Sequence, residues 1–381
     1  MKFSTLLIKN LMRRKTRTLL TVAGVAIAIG ATVALLGITD GFERSMRVSL
    51  EFRGTDVVVT AANVIDQLTS DLDQSFSERF LEIPGVQAVG AALLEVVAHS
   101  TDATDISLLL EGWLPGSFLF DDLEMVEGRQ LSAKDRRKVM LGVNLAENLS
   151  LDVGDSLILQ RTEFEVVGVF RSLSVFENGA VVMPLAELQE IMLREGSVTG
   201  FSLVLAPEAG VDASEVCTQI NALRDENGRS LGLAAMPTRE YVSDSTHIRM
   251  AHGMAWVTSI IAVVVGAVGT LNTMIMSVAE RIREIAILRA IGWRKSRIVR
   301  MIMGESVLIS LAGAFLGLVS AAVLIRWLSR LPQASNFLEG EIAAGVFAKG
   351  LSLALLVGLI GGIYPALRAA WLPPAEGLRH D

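Results

Sequence analysis

The chain has 381 residues, of which 51% are apolar and only 20% are charged, and its mean hydropathy is +0.49. A soluble globular domain carries about 25% charged residues, so this composition excludes a purely soluble enzyme and also a disordered chain. The net charge is −7, and the single cysteine, Cys217, excludes an internal disulfide. We expect Cys217 to be a small buried hydrophobic residue rather than a reactive thiol.

Four long stretches without a charged residue dominate the chain. A helix of about 20 residues is long enough to cross the hydrocarbon core of a bilayer. The first stretch is too long for the apolar part of a signal peptide and lacks an A-x-A cleavage site, so we interpret it as a retained anchor. The stretches predict transmembrane helices at residues 18–39, 253–279, 304–328 and 347–367.

The charges beside these stretches predict the orientation of the chain. Residues 1–18 hold six basic residues and no acidic one, and residues 280–300 hold seven basic and two acidic residues. Because basic residues near the ends of transmembrane helices mark the cytoplasmic side, we expect both termini in the cytoplasm. The cytoplasmic parts would be an amphipathic segment at 1–17, a segment at 280–303 and a tail at 368–381, and the extracytoplasmic parts would be a domain at 40–248 and a loop at 329–346.

The acidic insert after the first apolar stretch predicts mixed α and β structure. Asp212 and Glu215 have the spacing of a capping box at a helix start, and Gly154 opens a hairpin. Strands are predicted at 56–60, 86–97, 106–111, 180–183 and 201–205, helices at 77–81, 184–193 and 212–225, and the hairpin at 157–160 and 164–170. We divide the insert into a two-part, porter-like α/β layer at 55–111 and 179–240, a small β-rich insertion at 112–178, and stalks at 40–53 and 241–252. The predicted fold is an α-helical membrane protein with four transmembrane helices and an α+β extracytoplasmic domain.

Motifs for catalysis, cofactors and metals are absent from the sequence. There is no P-loop to hold ATP phosphates and no G-x-S-x-G nucleophile turn. The histidines, His99, His247, His252 and His380, do not form a metal-binding pattern. No nucleic-acid recognition motif accompanies the basic segments. We therefore predict no catalytic, cofactor-binding or metal-binding residues, and any nucleotide energy must come from another chain.

Two pairs of glycines predict close packing between membrane helices. Glycines spaced four apart let helix backbones approach each other in a membrane. This spacing occurs between Gly313 and Gly317 and between Gly358 and Gly362.

The segment after the second apolar stretch predicts a docking helix. Arg281 and Glu284 are placed to meet on a helix that continues out of the bilayer, and Gly292 should end that helix. Such a short helix suits docking to a cytoplasmic partner, although a solvated basic loop that fixes topology is the alternative.

Several strings together carry a family resemblance. NLMRRKTRTLLTVAGVAIAIG, SVAERIREIAILRAIGWRKSRIVRMIMGESVLISLAGAFLG and GGIYPALRAAWLPPAEGLR resemble the FtsX-like permease family of ABC transporters in its MacB-type branch. In the insert, EGRQLSAKDRRKVMLGVNLAENLSLDVGDSLIL, FEVVGVF and VVMPLAELQ resemble the periplasmic core domain of that family. The resemblance covers nearly the whole chain.

The resemblance implies a permease subunit of the inner membrane, without catalytic activity of its own. It implies a homodimer, or a pair with a related permease, that binds a separate cytoplasmic ABC ATPase and passes its motion to the extracytoplasmic domain, a process called mechanotransmission. It also allows a periplasmic adaptor or an outer-membrane channel as a further partner. The residues implied to couple to the ATPase are Glu280, Arg281, Glu284, Arg289, Gly292, Arg294, Lys295, Arg297 and Arg300.

Two classes of function follow from the resemblance. The first is export or extraction of a substrate by an ABC transporter, an efflux function. The second is a transmembrane signalling module that regulates an extracytoplasmic cell-wall hydrolase or sensor. The large insert favours the first class. A membrane-anchored enzyme is the weakest alternative, because no catalytic constellation is present.

Overall fold

The computed structural model describes residues 15–64, 67–100, 105–331 and 342–373. Most of the predicted N-terminal segment, residues 332–341 of the predicted loop at 329–346 and residues 374–381 of the predicted tail at 368–381 lie outside the described residues. The chain divides into a helical unit, made of Met1–Asp40, Ala251–Trp327 and Glu341–Asp381, and an outer unit, made of Gly41–Met250 and Leu328–Gly340. Each unit is described separately.

The elements follow one another in a mixed order. The first half contains α1 Lys15–Phe52, β1 Val57–Ala61, β2 Leu72–Asp73, α2 Phe76–Leu81, β3 Val86–Ser100, β4 Asp105–Trp113, β5 Glu124–Gly128, β6 Lys138–Gly142, α3 Val143–Leu149, β7 Ser156–Leu159 and β8 Thr162–Arg171. The second half contains α4 Val175–Asn178, β9 Ala180–Pro184, α5 Leu185–Ile191, β10 Ser197–Val198, β11 Gly200–Leu205, α6 Ala213–Asn221, β12 Leu233–Pro237, α7 Thr238–Asp244, α8 Thr246–Glu280, α9 Ile282–Ala290, α10 Lys295–Leu328 and α11 Ala344–Trp371.

Four helices, α1, α8, α10 and α11, are long and apolar enough to cross a membrane. In the helical unit, Val25 and Ile29 of α1 are buried in one cluster with Ala314 of α10 and Val357 of α11. The opposite faces stay apolar and exposed, as with Trp256 of α8, whose exposed fraction is 71%. A helix that is apolar on its exposed face is suited to a hydrocarbon solvent, so the predicted membrane fold is confirmed.

The outer unit is built on one ten-stranded sheet with the order β12-β1-β11-β3-β4-β9-β6-β8-β5, and β7 pairs with β8. Most pairs are antiparallel, whereas β4 with β9 and β6 with β8 are parallel. Alternate side chains such as Leu108 and Leu110 of β4 point into a core that also holds Phe80 of α2 and Phe201 of β11. β-branched runs such as Val57 to Val59 form strands because they pack well on a pleated, half-buried surface.

The structure refines several expectations for the insert. The α+β class and the hairpin of β7 and β8 are confirmed. Strands β5, β6 and β8, which come from residues 112–178, join the main sheet through β9 rather than forming a sheet of their own. The helix expected at 212–225 ends at Asn221, and the side chain of Asp212 makes no capping hydrogen bond, so the capping box was a wrong prediction. The backbone carbonyl of Asp212 accepts from the N–H of Glu215 instead.

Candidate functional site

The second long apolar helix is interrupted at one residue. Helix α8 ends at Glu280 and α9 begins at Ile282, and Arg281 between them has a non-helical backbone with φ −113° and ψ 16°. The sequence suggested a continuous helix here. Both residues at the break are held by charged partners from other helices of the same unit.

Glu280 is held by a residue of the first helix. Arg17 of α1 donates from Nη1 to Glu280 Oε2 at 3.1 Å and from Nη2 to Glu280 Oε1 at 3.2 Å. One turn further along, the hydroxyls of Thr21 and Thr273 lie 2.6 Å apart. A bidentate salt bridge of this kind fixes the orientation of the two side chains as well as their distance, so the end of α8 is held in a defined position against α1.

Arg281 is held by a buried carboxylate in the third apolar helix. Its Nη1 donates to Glu305 Oε1 at 3.0 Å and to Oε2 at 2.9 Å, and the side chain of Glu305 is only 3% exposed. The Nε of Arg281 also donates to Glu284 Oε2 at 3.4 Å. Arg281 therefore joins the start of α9 to the interior of α10. We call this pair and the Arg17–Glu280 pair the break clamp.

Helix α9 has one packed face and one open face. Ile285 and Ala286 are 3% and 2% exposed, and Ile285 packs in a cluster that includes Ile298 of α10 and Ala366 of α11. The exposed residues on the other side are Arg283, Glu284, Ile287 and Ala290. A short helix with one apolar face anchored and the other exposed can receive a partner without losing its own packing.

The turn after α9 depends on a glycine. Gly292 has φ +101°, a conformation that costs little only without a Cβ. Arg289 Nη1 donates to the carbonyl of Trp293 at 2.9 Å across this turn. The cation of Lys295 lies 3.9 Å from the ring centre of Trp371, and that of Arg297 lies 4.2 Å from the ring centre of Trp293. The exposed basic residues that follow the turn are Arg294, Lys295, Arg297 and Arg300.

The structure places the nine predicted coupling residues on a single run around the break, α9, the turn and the first turns of α10. Sequence reasoning missed two residues that hold this run, Arg17 and Glu305. Glu305 is an acidic residue that borders the uncharged stretch of α10, and such a residue in a membrane helix usually marks a specific partner. No local signal indicates Arg17, because its contact depends on how α1 packs.

The four predicted packing glycines lie at helix crossings. A Cβ on Gly317 would come within 2.6 Å of the carbonyl oxygen of Ala26 in α1, and a Cβ on Gly313 within 2.7 Å of Val25. On α11, a Cβ on Gly358 would meet the Cα of Val307 at 2.9 Å. Gly362 faces Ser306 of α10 in the same manner, at 2.7 Å.

Comparison with known proteins gives two family matches. The MacB-like periplasmic core domain matches residues 18–223, which is more than half of the chain, and the FtsX-like permease C-terminal domain matches residues 256–374. A crystal structure of the periplasmic region of MacB from Actinobacillus actinomycetemcomitans covers 48% of this chain and 89% of its own, with 14% identity and a TM-score of 0.39.

Two relatives match nearly the whole length of this chain in sequence. The chain is 22% identical over 407 residues to the uncharacterized ABC transporter permease YknZ of Bacillus subtilis (strain 168), and the match covers 98% of each chain. It is 24% identical to the macrolide export ATP-binding/permease protein MacB of Agrobacterium fabrum, over 96% of this chain and 59% of that protein. The chain therefore belongs to the MacB-type, FtsX-like family of ABC transporter permeases.

Proposed function

We propose that this permease couples ATP hydrolysis by a separate cytoplasmic ABC ATPase to a conformational change of the outer unit, which drives export or extraction of a substrate. The observation that carries the proposal is the break clamp, in which Glu280 pairs with Arg17 and Arg281 pairs with Glu305. The permease itself has no catalytic role in this scheme, and ATP and Mg²⁺ bind to the partner.

The break clamp supports the proposal because α9 can transmit a displacement only if it is firmly attached to the other helices of its unit. The buried charge pair of Arg281 and Glu305 is costly to break, since removing one partner of such a pair costs about 3–5 kcal/mol. A displacement of α9 is therefore passed to α1 and α10 rather than absorbed in the turn. Helix α1 contributes residues to both units, so it is the natural carrier of that displacement.

The surroundings of the clamp suit an ATPase surface on the cytoplasmic side. The open face of α9, with Ile287 44% exposed, offers an apolar contact, and Ile291 in the turn is 73% exposed. Basic residues at the start of α10 add positive charge that can steer an acidic partner. We propose that both termini lie in the cytoplasm, that the permease acts as a homodimer or with a related permease, and that an adaptor or outer-membrane channel completes efflux.

The first test is to tag the full chain, solubilise it gently and identify what copurifies. We expect an ABC ATPase in stoichiometric amount, whose hydrolysis is stimulated when both proteins are placed in lipid nanodiscs. An extracytoplasmic hydrolase or sensor in its place would favour the signalling function instead.

The decisive variant is Ile287→Ser, which removes the apolar centre of the open face of α9. We expect ATPase stimulation to fall by about 5- to 30-fold, because losing one apolar anchor that the partner would bury costs on the order of 1–2 kcal/mol. The matched control is Ile158→Ser in the outer unit, where the side chain is 60% exposed. Full stimulation by Ile287→Ser would contradict docking at α9.

A further inference from the structure

A second charged cluster lies inside the outer unit, at the end of α1. Arg53 Nε donates to Asp122 Oδ1 at 2.8 Å, and its Nη2 donates to Glu177 Oε2 at 2.6 Å. These side chains are 6%, 3% and 8% exposed, in the order Arg53, Asp122 and Glu177. The guanidinium also lies 4.8 Å from the ring centre of Trp113. A buried arginine with this many partners is a fixed point of the fold rather than a surface pair.

The cluster fastens the last turns of α1 to α4 and to the end of β8. Ser49 donates its hydroxyl to Glu177 Oε1 at 2.9 Å, and Ser172 donates to Glu177 Oε2 at 2.6 Å. The hydroxyl of Ser45 accepts from the backbone N–H of Val175 at 2.9 Å. Glu177 is therefore the point at which residues of α1 and of the sheet meet.

The cluster holds more negative than positive charge. Glu111 of β4 is 5% exposed and faces the same group of charges. Among the described residues, Asp122 Oδ2 is buried and has no hydrogen-bond partner. Of the groups in the described part of the chain that act electrostatically on Glu111, two carboxylates, those of Asp122 and Glu177, stand against one guanidinium, that of Arg53. Buried charge that is not matched is costly, and binding one proton would reduce the excess.

Glu111 is the group that would hold this proton. Burial raises the pKa of Glu111 to about 8, and the charge of Glu177 acts in the same direction. The charged groups that face it are Arg53 from the end of α1, Glu177 from α4 and Asp122 from the loop before β5. The charge of Asp122 also raises the pKa of Glu111, whereas the charge of Arg53 and a hydrogen bond with the side chain of Trp113, on the same strand, lower it. Burial also raises the pKa of Asp122, against the influence of Arg53.

We propose that Arg53, Asp122, Glu177 and Glu111 form a buried proton-binding latch, which holds the end of α1 firmly in the outer unit with one proton bound and loosens when it leaves. The proton comes from and returns to solvent. Loss of the proton adds a negative charge among carboxylates that already exceed the guanidinium, so the contacts of Ser49 and Arg53 with Glu177 weaken.

The test is hydrogen exchange of the full chain in lipid nanodiscs, followed by mass spectrometry from about pH 6 to about pH 9 and corrected for intrinsic exchange rates. Peptides that cover residues 41–53 and 105–113 should lose protection as the pH rises. As the pH rises towards the folded-state pKa of Glu111, protection should fall by nearly tenfold for each pH unit. The reason is that Glu111 keeps its proton in the folded form and releases it in the locally opened form. A pH-independent profile of the wild-type chain would overturn the proposal without any variant.

Two variants identify the titrating group. Glu111→Gln keeps the shape and should make the protection of these peptides independent of pH. Glu177→Gln removes a neighbouring negative charge and should move the wild-type transition to lower pH. The control is Arg239→Gln, which removes the exposed pair of Arg239 and Glu51 on the same helix end and should leave the transition unchanged.

If Glu111→Gln retains the wild-type pH dependence, or Glu177→Gln does not move the transition, the latch is disproved. No ATPase is needed for these measurements. The result is therefore independent of the coupling function proposed above.

Discussion

At the scale of single residues, the buried carboxylate of Glu305 shows how a charged group in a membrane helix is stabilised by a partner of opposite charge, Arg281. Arginine suits this position because one guanidinium serves two carboxylates, with Nη1 donating to both oxygens of Glu305 and Nε donating to Glu284. The sequence shows the acid at the border of the uncharged stretch of α10, and it shows Arg281 in a candidate coupling segment. Their contact was not predictable, because it depends on the packing of α8 against α10.

Replacing Arg281 with Gln should destabilise the helical unit by about 3–5 kcal/mol, because the buried carboxylate of Glu305 loses its guanidinium. The double variant Arg281→Met with Glu305→Leu should recover most of this loss, since an apolar pair of similar volume carries no desolvation penalty. Thermal unfolding in detergent measures both effects. Arg283→Gln, two residues away on the open face, is the control, and an equal effect of Arg281→Gln and the control would contradict the buried pair.

Asp135 of the outer unit provides a pH-dependent test. Hydrogen bonds from Arg129, followed by those from Ser132, hold the pKa of Asp135 well below its usual range despite partial burial. A lowered pKa stabilises the fold above the ordinary aspartate pKa of about 4, and this contribution is lost as the pH falls below it towards the lowered value.

Asp135→Asn should therefore lower stability by roughly 1–3 kcal/mol at neutral pH, the cost of disturbed buried hydrogen bonds to a charged group. The difference from wild type should shrink in strong acid. Thermal unfolding at about pH 7 and about pH 3 measures it, with the exposed Glu163→Gln as control. A difference that grows in acid would show that the carboxylate of Asp135 is not the stabilising form.

At the scale of elements, helices α1 and α10 touch along their backbones. The Cα of Gly317 lies 3.4 Å from the position of a Cβ built on Gly30, so neither glycine leaves room for a side chain. The sequence indicated close packing at Gly317 by its spacing to Gly313, but it did not indicate which helix would lie opposite. In the same way, the β7 and β8 hairpin was visible in a local pattern. The parallel pairing of β4 with β9 was not, because a long stretch of chain separates those strands.

Gly317→Ala should push α1 and α10 apart and destabilise the helical unit by about 1–3 kcal/mol, as overpacking does. The matched control is Gly24→Ala on α1, where a new Cβ meets no atom within 4 Å. The control should be neutral or slightly stabilising, because alanine favours helix over glycine. Thermal unfolding of both variants in the same detergent measures the contrast, and equal melting temperatures would contradict the close crossing.

At the scale of the whole molecule, the charge asymmetry predicts which side faces the cytoplasm. Residues 40–246 contain 34 acidic and 15 basic residues, whereas residues 1–18 and 280–300 are predominantly basic. This separation was readable from the sequence because it depends on composition, not on contacts. The break between α8 and α9 could not be predicted from the sequence. Arg281 has a non-helical backbone although Arg281 and its neighbours are residue types that favour helices.

Single cysteines should report this topology in intact cells. A cysteine at exposed Asp155 should react with a membrane-impermeant thiol reagent, and one at exposed Ser296 should react only after the membrane is opened. The native thiol should stay silent, because Cys217 is buried and burial raises its pKa to about 11. If Ser296→Cys is labelled in intact cells and Asp155→Cys only after the membrane is opened, the orientation is the opposite of the one predicted.

The sheet order also determines when the outer unit can finish folding. Strand β1 pairs on one side with β11 and on the other with β12, so residues 57–61 have no neighbour until residues 200–237 have been synthesised. Pairing over such a distance in sequence is slow, because the intervening chain must first be ordered. A nascent chain that stalls before residue 200 therefore presents an apolar strand with two open edges. Truncated products of this protein should be removed by proteases or aggregate rather than persist as folded fragments.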